Sequence, residues 1–287
     1  MPVHDELGKR MKENYEQITK YRLTRRLPVI VRIDGRAFHT LTRGFKKPFD
    51  PILMQSMRET MKYLCEYVQG CVLGYTQSDE ISLLLIDYKD LNSQAWFDNE
   101  IQKISSISAS MATMVFNKLF SIIVDCNTDD RVLTKETETK LGKPYSEWAA
   151  DDLKAHFDLH SDFYDQCAVY DKVKGSAMFD ARCFNIPKEE VTNYFYWRQI
   201  DAIRNSIQMV GRANFSHKEL HEKRCNDIQD MLREQKGINW NDIPTAQKRG
   251  SCCIKSENGW SIDTEIPIFK GDGRDYIEKY VFVDGNN

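Results

Sequence analysis

Two strand-like runs, residues 71–77 and 80–87, flank Ser78-Asp79, and so short a gap leaves room only for a hairpin. An earlier run, Pro28 to Asp34, is nearly continuous in β-branched residues (Val29, Ile30, Val31, Ile33), as expected of a central strand, and Gly35 ends it. Helical spacing fills the gaps between strands. After a turn-rich, cationic loop (Thr42 to Pro48), Asp50 reads as an N-cap with Pro51 at the first helical position, followed by a stripe of Leu53, Met57, Met61, Leu64 and Val68. A second helix, from Glu100 to about Ile123, turns Ile104, Ile107, Met111, Met114 and Phe120 inward, and residues 177–186 read as a further strand. The order is β-α-β-β-α-β.

That order predicts an α+β fold with a ferredoxin-like (split βαβ) antiparallel sheet, helices on one face, and a helical C-terminal extension. A right-handed crossover lays the second strand parallel to the first, and the third returns beside the first. The end of strand one, carrying Asp34, then adjoins the hairpin carrying Asp79 and Glu80, about 45 residues away in sequence. Before this sheet, residues 4–20 space Leu7, Met11, Tyr15 and Ile18 along one face of a helix. Within it, residues 127–174 form an acidic, weakly periodic insertion, read as partly helical and more readily a solvated surface than a regulatory element. Beyond it come a long helix at 189–210, an amphipathic helix at 217–235, and a strand pair of 251–255 with 260–269. A domain boundary, if present, falls near 187–215.

The 40 Lys and Arg against 43 Asp and Glu argue against a uniformly basic nucleic-acid coat. Cations nevertheless cluster at Arg22/Arg25/Arg26, Lys46/Lys47, Lys172/Lys174, Lys223/Arg224 and Lys248/Arg249, and these act as a patch only if the fold gathers them. None of the eight cysteines makes a C-x-x-C pair, which excludes a spacing-defined zinc site and fits a reduced, cytoplasmic protein, organelle import remaining open. No stretch reaches the roughly 18 consecutive apolar residues of a spanning helix, so no membrane association is expected.

Taken singly, an Asp-Gly after a strand is a turn and an Asp-Glu pair is solvated. Brought to adjacent strand tips, two carboxylates and a backbone carbonyl can hold two Mg²⁺ ions roughly 3.5–4 Å apart, the arrangement of in-line nucleotidyl transfer. Asp34 and Asp79 are the expected bridges. Glu80, one residue on and so on the other face by strand period, is either a third ligand or the structural partner of a cation; the first is the expectation. Gly35-Arg36-Ala37-Phe38-His39 can offer successive N–H groups to a triphosphate, with Lys47 and the Arg22/Arg25/Arg26 cluster neutralising phosphates. P-loop and kinase signatures are missing.

Six motifs in register, R-I-D-G-R-A-F-H (32–39), K-P-F-D (47–50), S-D-E (78–80), F-D-A-R (179–182), Y-W-R-Q-I-D (196–201) and K-R-G (248–250), resemble the tRNA-His guanylyltransferase family, in its guanylyltransferase-like branch of 3′–5′ RNA polymerases. The resemblance implies a polymerase-palm-type catalytic domain at 1–186, completed by 187–287, and two Mg²⁺ ions on Asp34, Gly35 and Asp79 with Glu80 close by. It implies nucleotide contacts at His39, Lys47, Asp50 and Ser78, and phosphate or tRNA contacts at Arg32, Lys103 and Arg198, with Lys248 and Arg249 as further candidates. ATP would activate a 5′-monophosphorylated tRNA, and the 3′-OH of an incoming GTP or other NTP would then attack it. A homotetramer is also implied. Where guanylyltransferases carry His-Ile-Asn-Asn, this chain has Ala202-Ile203-Arg204-Asn205, which directs the resemblance to templated 5′-end repair rather than addition of the −1 guanosine. Two other readings compete: a cyclase-like two-metal enzyme acting on NTP alone, and a catalytically idle RNA-binding protein.

Overall fold

The computed structural model describes residues 5–283; residues 1–4 and 284–287, which the expected regions include, lie outside it. The β-branched run forms β1 (Val29–Gly35), and the hairpin forms β2 (Cys71–Gln77) and β3 (Glu80–Leu85). With β4 (Phe179–Asn185), β5 (Ser251–Ser256) and β6 (Gly259–Asp263) they make one six-stranded sheet in the order β4-β1-β3-β2-β5-β6, every neighbouring pair antiparallel. The second strand pair therefore lengthens the sheet built by the first four strands. It ends at Asp263, short of the expected Phe269, because Ile266 and Phe269 leave the ladder to bury themselves in the core.

In chain order the helices are α1 (Glu6–Met11), the single turn α2 (Phe38–Leu41), α3 (Pro51–Tyr67), α4 (Ile101–Asn127), α5 (Arg131–Leu141), α6 (Ala150–Leu159), α7 (Ser161–Asp171), α8 (Lys188–Asn214), α9 (His217–Leu220), α10 (Cys225–Lys236), α11 (Thr245–Arg249) and α12 (Asp275–Val281). Strand alternation divides the core into two. Val31, Ile33, Ile81 and Leu83 face α3 and α4 through Met61, Leu64, Ala112 and Phe116. Ile30, Leu73, Tyr75 and Leu84 face the other way, against Val191 and Phe195 of α8 and Ile277 and Val281 of α12. Helices thus cover both faces, not one as expected: the C-terminal helix is a second layer, because the sheet's reverse face is equally apolar.

Three other expectations change. The insertion is three helices, α5 to α7, tied to the core by Tyr170, whose ring lies 5.0 Å from that of Phe45 in the loop after α2. The predicted helix at 217–235 is two, α9 and α10, broken where Glu222 takes φ +59°. The N-terminal segment is helical over α1 and continues in irregular turns to Thr19, but Leu7, Met11, Tyr15 and Ile18 all remain exposed. The run beginning with α4 is long and apolar enough to cross a membrane by length and composition; here its apolar side packs on β1 and β4 in the core.

Candidate active site

β1 delivers Asp34 to the sheet's tip, where it is the register partner of Glu80 on one side and Asp180 on the other. Directly opposed residues share a face with Cβ atoms roughly 4.5–5.5 Å apart, so three carboxylates line one edge. Asp79 is brought in by the hairpin turn. Ser78 adopts φ +50°, and the Gly35 N–H donates to the Asp79 carbonyl at 3.0 Å, fastening the end of β1 to that turn. A side chain at Gly35 would overlap the Phe38 ring at 2.4 Å, so the turn after β1 requires glycine.

The Asp79 carboxyl is raised above its ordinary value, first by burial, with the neighbouring Asp34 charge adding to it against hydrogen bonds from its own N–H and from Ser78. The Ser78 hydroxyl donates to it at 3.1 Å. Glu80 differs. It is buried, and Arg32 Nη2 meets Oε2 at 2.6 Å while Arg198 Nε meets Oε1 at 2.7 Å. Burial pushes its carboxyl up, and Arg198, then Arg32, pull it back. Both oxygens thus face guanidinium groups, the structural-partner arrangement rather than that of a free ligand. Arg198 goes on to Asp201 at 3.0 Å, completing a charged chain from β1 to α8.

The oxygens left to a cation at the tip are those of Asp34 and Asp79, with Asp180, which pairs at 3.2 Å with Arg182. Among the described residues no three His, Cys, Asp or Glu side chains are grouped so as to hold a metal ion by themselves. A hard, oxygen-only donor set of one or two carboxylates suits Mg²⁺, which completes its shell with water and substrate phosphates. The carboxylates at this tip have the chemistry to suit such an ion.

The other candidate residues separate. Of the run 35–39, two N–H groups are already used: that of Gly35 by Asp79, and that of Arg36 by the Met178 carbonyl at 2.8 Å. Ala37, in a left-handed conformation at φ +54°, leads into α2; Arg36, Ala37 and His39 are exposed, whereas Phe38 is buried under the turn. Asp50 is buried as the N-cap of α3, accepting from the Leu53 N–H at 2.9 Å, the Lys46 N–H at 3.0 Å and the Tyr170 hydroxyl at 2.6 Å. Lys47 is exposed nearby. Ser78, Asp50, Phe49, Asn205 and Gln247 line a cavity of about 80 Å³ beside the turn.

Two of the expected phosphate or RNA contacts, Arg198 and Lys103, differ in their surroundings. Arg198 is 5% exposed and held between carboxylates, so it does not present itself to a polyanion. Lys103 lies over the Phe97 ring near the start of α4, whereas Thr113 and Asn117 of that helix bond Phe179 and Ala177 at the acidic end. Ten residues of helix, about 15 Å, separate Lys103 from that end. Lys248 and Arg249, half-buried in α11, lie by the hairpin: Lys248 donates to the Asn241 carbonyl, and the Arg249 carbonyl accepts from Tyr75. Sequence reasoning missed Asp180 and Asp201, although F-D-A-R and Y-W-R-Q-I-D both drew notice; only register and helix docking reveal what those acids face.

A family model described as tRNAHis guanylyltransferase matches residues 8–187. Among solved structures, the chain is similar to a bacterial tRNA(His) guanylyltransferase-like protein in complex with ATP, with a TM-score of 0.75 and 41% identity over 97% of this chain and 100% of that one. It is likewise similar to a bacterial protein of the same description in complex with GTP, at TM-score 0.70 and 39% identity over 97% and 100%. Among curated proteins, the tRNA(His) guanylyltransferase of Saccharomyces cerevisiae is 24% identical over 237 residues, 78% of this chain and 80% of that protein.

Proposed function

Because this chain belongs to the tRNAHis guanylyltransferase family, we propose that it adds nucleotides to the 5′ end of tRNA in the 3′–5′ direction, and does so by copying a template strand. The observation that carries the reading is the bond from Gly35 to Asp79, which fixes the two acids of separate motifs at one tip. The membership makes the protein a nucleotidyltransferase, and the ATP- and GTP-bound relatives support nucleoside triphosphates as substrates. We read the core order β4-β1-β3-β2 as the split βαβ sheet of a polymerase palm.

In this proposal Asp34 and Asp79, with the Gly35 carbonyl, hold two Mg²⁺ ions, which supply charge stabilisation for in-line displacement at phosphorus. The protein's part is positioning. Ser78 orients Asp79, the Arg32–Glu80–Arg198 clamp fixes β1 against β3 and α8, and Asp50 sets the start of α3 beside the Ser78 cavity. Both stages, ATP activation of a 5′-monophosphate and attack by an NTP 3′-OH, use the same tip. Ala202-Ile203-Arg204-Asn205 favours templated repair over −1 guanosine addition. A cytosolic setting fits eight free cysteines, four of them buried. A homotetramer completes the proposal.

The test is incubation with Mg²⁺, NTPs and a 5′-truncated tRNA whose 3′-side nucleotide opposite the growing end is varied. One-nucleotide lengthening with a base that follows the template is expected. Lengthening by guanosine alone would replace templating with −1 addition, and cyclic product from NTP without RNA would overturn the reading.

A further inference from the structure

Beyond the acidic tip, the fold gathers three cations that the sequence keeps apart. Arg36 follows β1, Arg43 follows α2, and Lys172 closes the insertion; all three are exposed and line one cleft of about 610 Å³. None of the ten residues lining this cleft is acidic. Arg36 reaches only the Met178 sulfur, at 3.9 Å, and no described carboxylate pairs with Arg43 or Lys172. The acid next to Lys172 in sequence, Asp171, is engaged by Lys174 at 2.6 Å, and Lys174 also holds Asp125. The positive charge therefore stands uncompensated.

The cleft is braced. The Gly44 carbonyl accepts from Gln166 Nε2 at 3.3 Å, and a side chain at Gly44 would press on Val169 at 3.2 Å. The wall is thus shared by the loop after α2 and by α7 of the insertion. Leu41, Val169, Val173 and Met178 give it an apolar floor, and Thr40 and Ser176 add hydroxyls. Cations around an apolar floor suit a sugar–phosphate strand, whose phosphates meet the rim while riboses or an unpaired base rest on the floor. Its position fixes the direction: Arg36 is two residues from Asp34, and Met178 is two from Asp180.

We infer that this cleft binds the backbone phosphates of the RNA strand that runs away from the 5′ end held at Asp34 and Asp79, and that the insertion exists in part to supply its far wall. The inference rests on the proposed function for the identity of the polyanion, but binding tests it without turnover. An NTP triphosphate shares the phosphate chemistry; three cations from separate segments along one open cleft favour successive phosphates of a strand.

The experiment measures affinity for a 3′-fluorescein-labelled tRNA by anisotropy across salt concentrations, and affinity for ATP and GTP by calorimetry, in the full chain with Mg²⁺. Arg43→Gln/Lys172→Gln should weaken tRNA binding roughly tenfold near 0.1 M salt and flatten the slope of log affinity against log salt by about 1.5–2. Nucleotide affinity should stay within twofold, and KM for tRNA should rise while kcat holds. Lys255→Gln/Lys279→Gln, at a second basic cleft by the opposite end of the sheet, controls for general charge and should change little. Unchanged tRNA affinity with weakened ATP or GTP binding would assign the cleft to a triphosphate and overturn the inference. No change in either would reduce it to solvated surface charge, also overturning it. Binding that depends on these cations in a protein that never extends RNA would leave the inference standing and sink the proposed function instead.

Discussion

With both oxygens of Glu80 engaged by guanidinium groups and its side chain 5% exposed, truncation leaves Arg32 without its carboxylate and Arg198 with Asp201 alone. Breaking a buried pair costs about 3–5 kcal/mol. Glu80→Ala should lose about that much in urea unfolding, and Glu80→Gln clearly less, since one acceptor oxygen remains. Equal, small losses for both would show the clamp to be unimportant. Asp79 presents the opposite case. Burial, then Asp34, raises its carboxyl, so its contribution to stability is full below the unfolded value of 3.8 and is lost as pH rises through the higher folded value. At pH 7.5 in EDTA, Asp79→Asn should melt higher than the parent, an advantage that disappears below pH 3.8, while extension activity falls on the order of 10³-fold. A lower melting point at pH 7.5 would refute the assignment. The meeting of Asp34 and Asp79 was legible because strand order alone brings their tips together. The clamp on Glu80 was not, since Arg198 is 118 residues away on a helix that the sequence did not place over that face.

At the scale of elements, α3 begins where three hydrogen bonds converge on the Asp50 carboxylate, and one comes from Tyr170 in the insertion. Losing the cap costs about 0.5–2 kcal/mol, and orphaning the buried Tyr170 hydroxyl adds about 1–3. Asp50→Ala should therefore destabilise by about 1.5–5 kcal/mol in chemical unfolding, and Tyr170→Phe by about 1 kcal/mol, since two donors still serve Asp50. If Tyr170→Phe matched Asp50→Ala, the hydroxyl rather than the cap would dominate. The α3 start was readable from Asp-Pro, β1 from its β-branched run, and β2 to β4 from short strand-like runs, because these signals are local. The break between α9 and α10 was missed although its markers are local too. Ser216 and Glu219 form one reciprocal cap, and the Arg224 N–H donates to Asp227 at 2.8 Å to start the next helix. The amphipathic period runs through both helices and hides the polar turn between them. The insertion's helices were only partly legible because their stability comes from docking, as in the partly buried Thr137–His156–Tyr164–Asp130 hydrogen-bond chain, rather than from a strong apolar stripe.

For the whole molecule, the apolar surface left uncovered by a single chain is the quantity that bears on assembly. α8 buries Val191 and Phe195 beneath it, yet Trp197 and Ile200 stand 52% and 45% exposed. Three residues apart, they share one outer side of the helix, where Arg198 stacks on the Trp197 ring at 4.4 Å. Large apolar groups held rigidly by a core helix suit a self-complementary contact, in which the same patch meets its copy across a two-fold axis. Periodicity could not show this, because an amphipathic pattern reports that a face is apolar and not whether its own chain covers it. If α8 forms such a contact in the proposed tetramer, light scattering should give a mass near four chains, and Trp197→Glu/Ile200→Glu should lower it to two or one. The contact also touches the active site: Trp197 and Arg198 are adjacent, and Arg198 holds Glu80 opposite Asp34. The dissociated variant should accordingly lose extension activity severalfold while keeping its circular dichroism spectrum. A clean monomer for the parent would remove the tetramer from the proposal, and a dissociated variant with full activity would show that assembly and catalysis are independent.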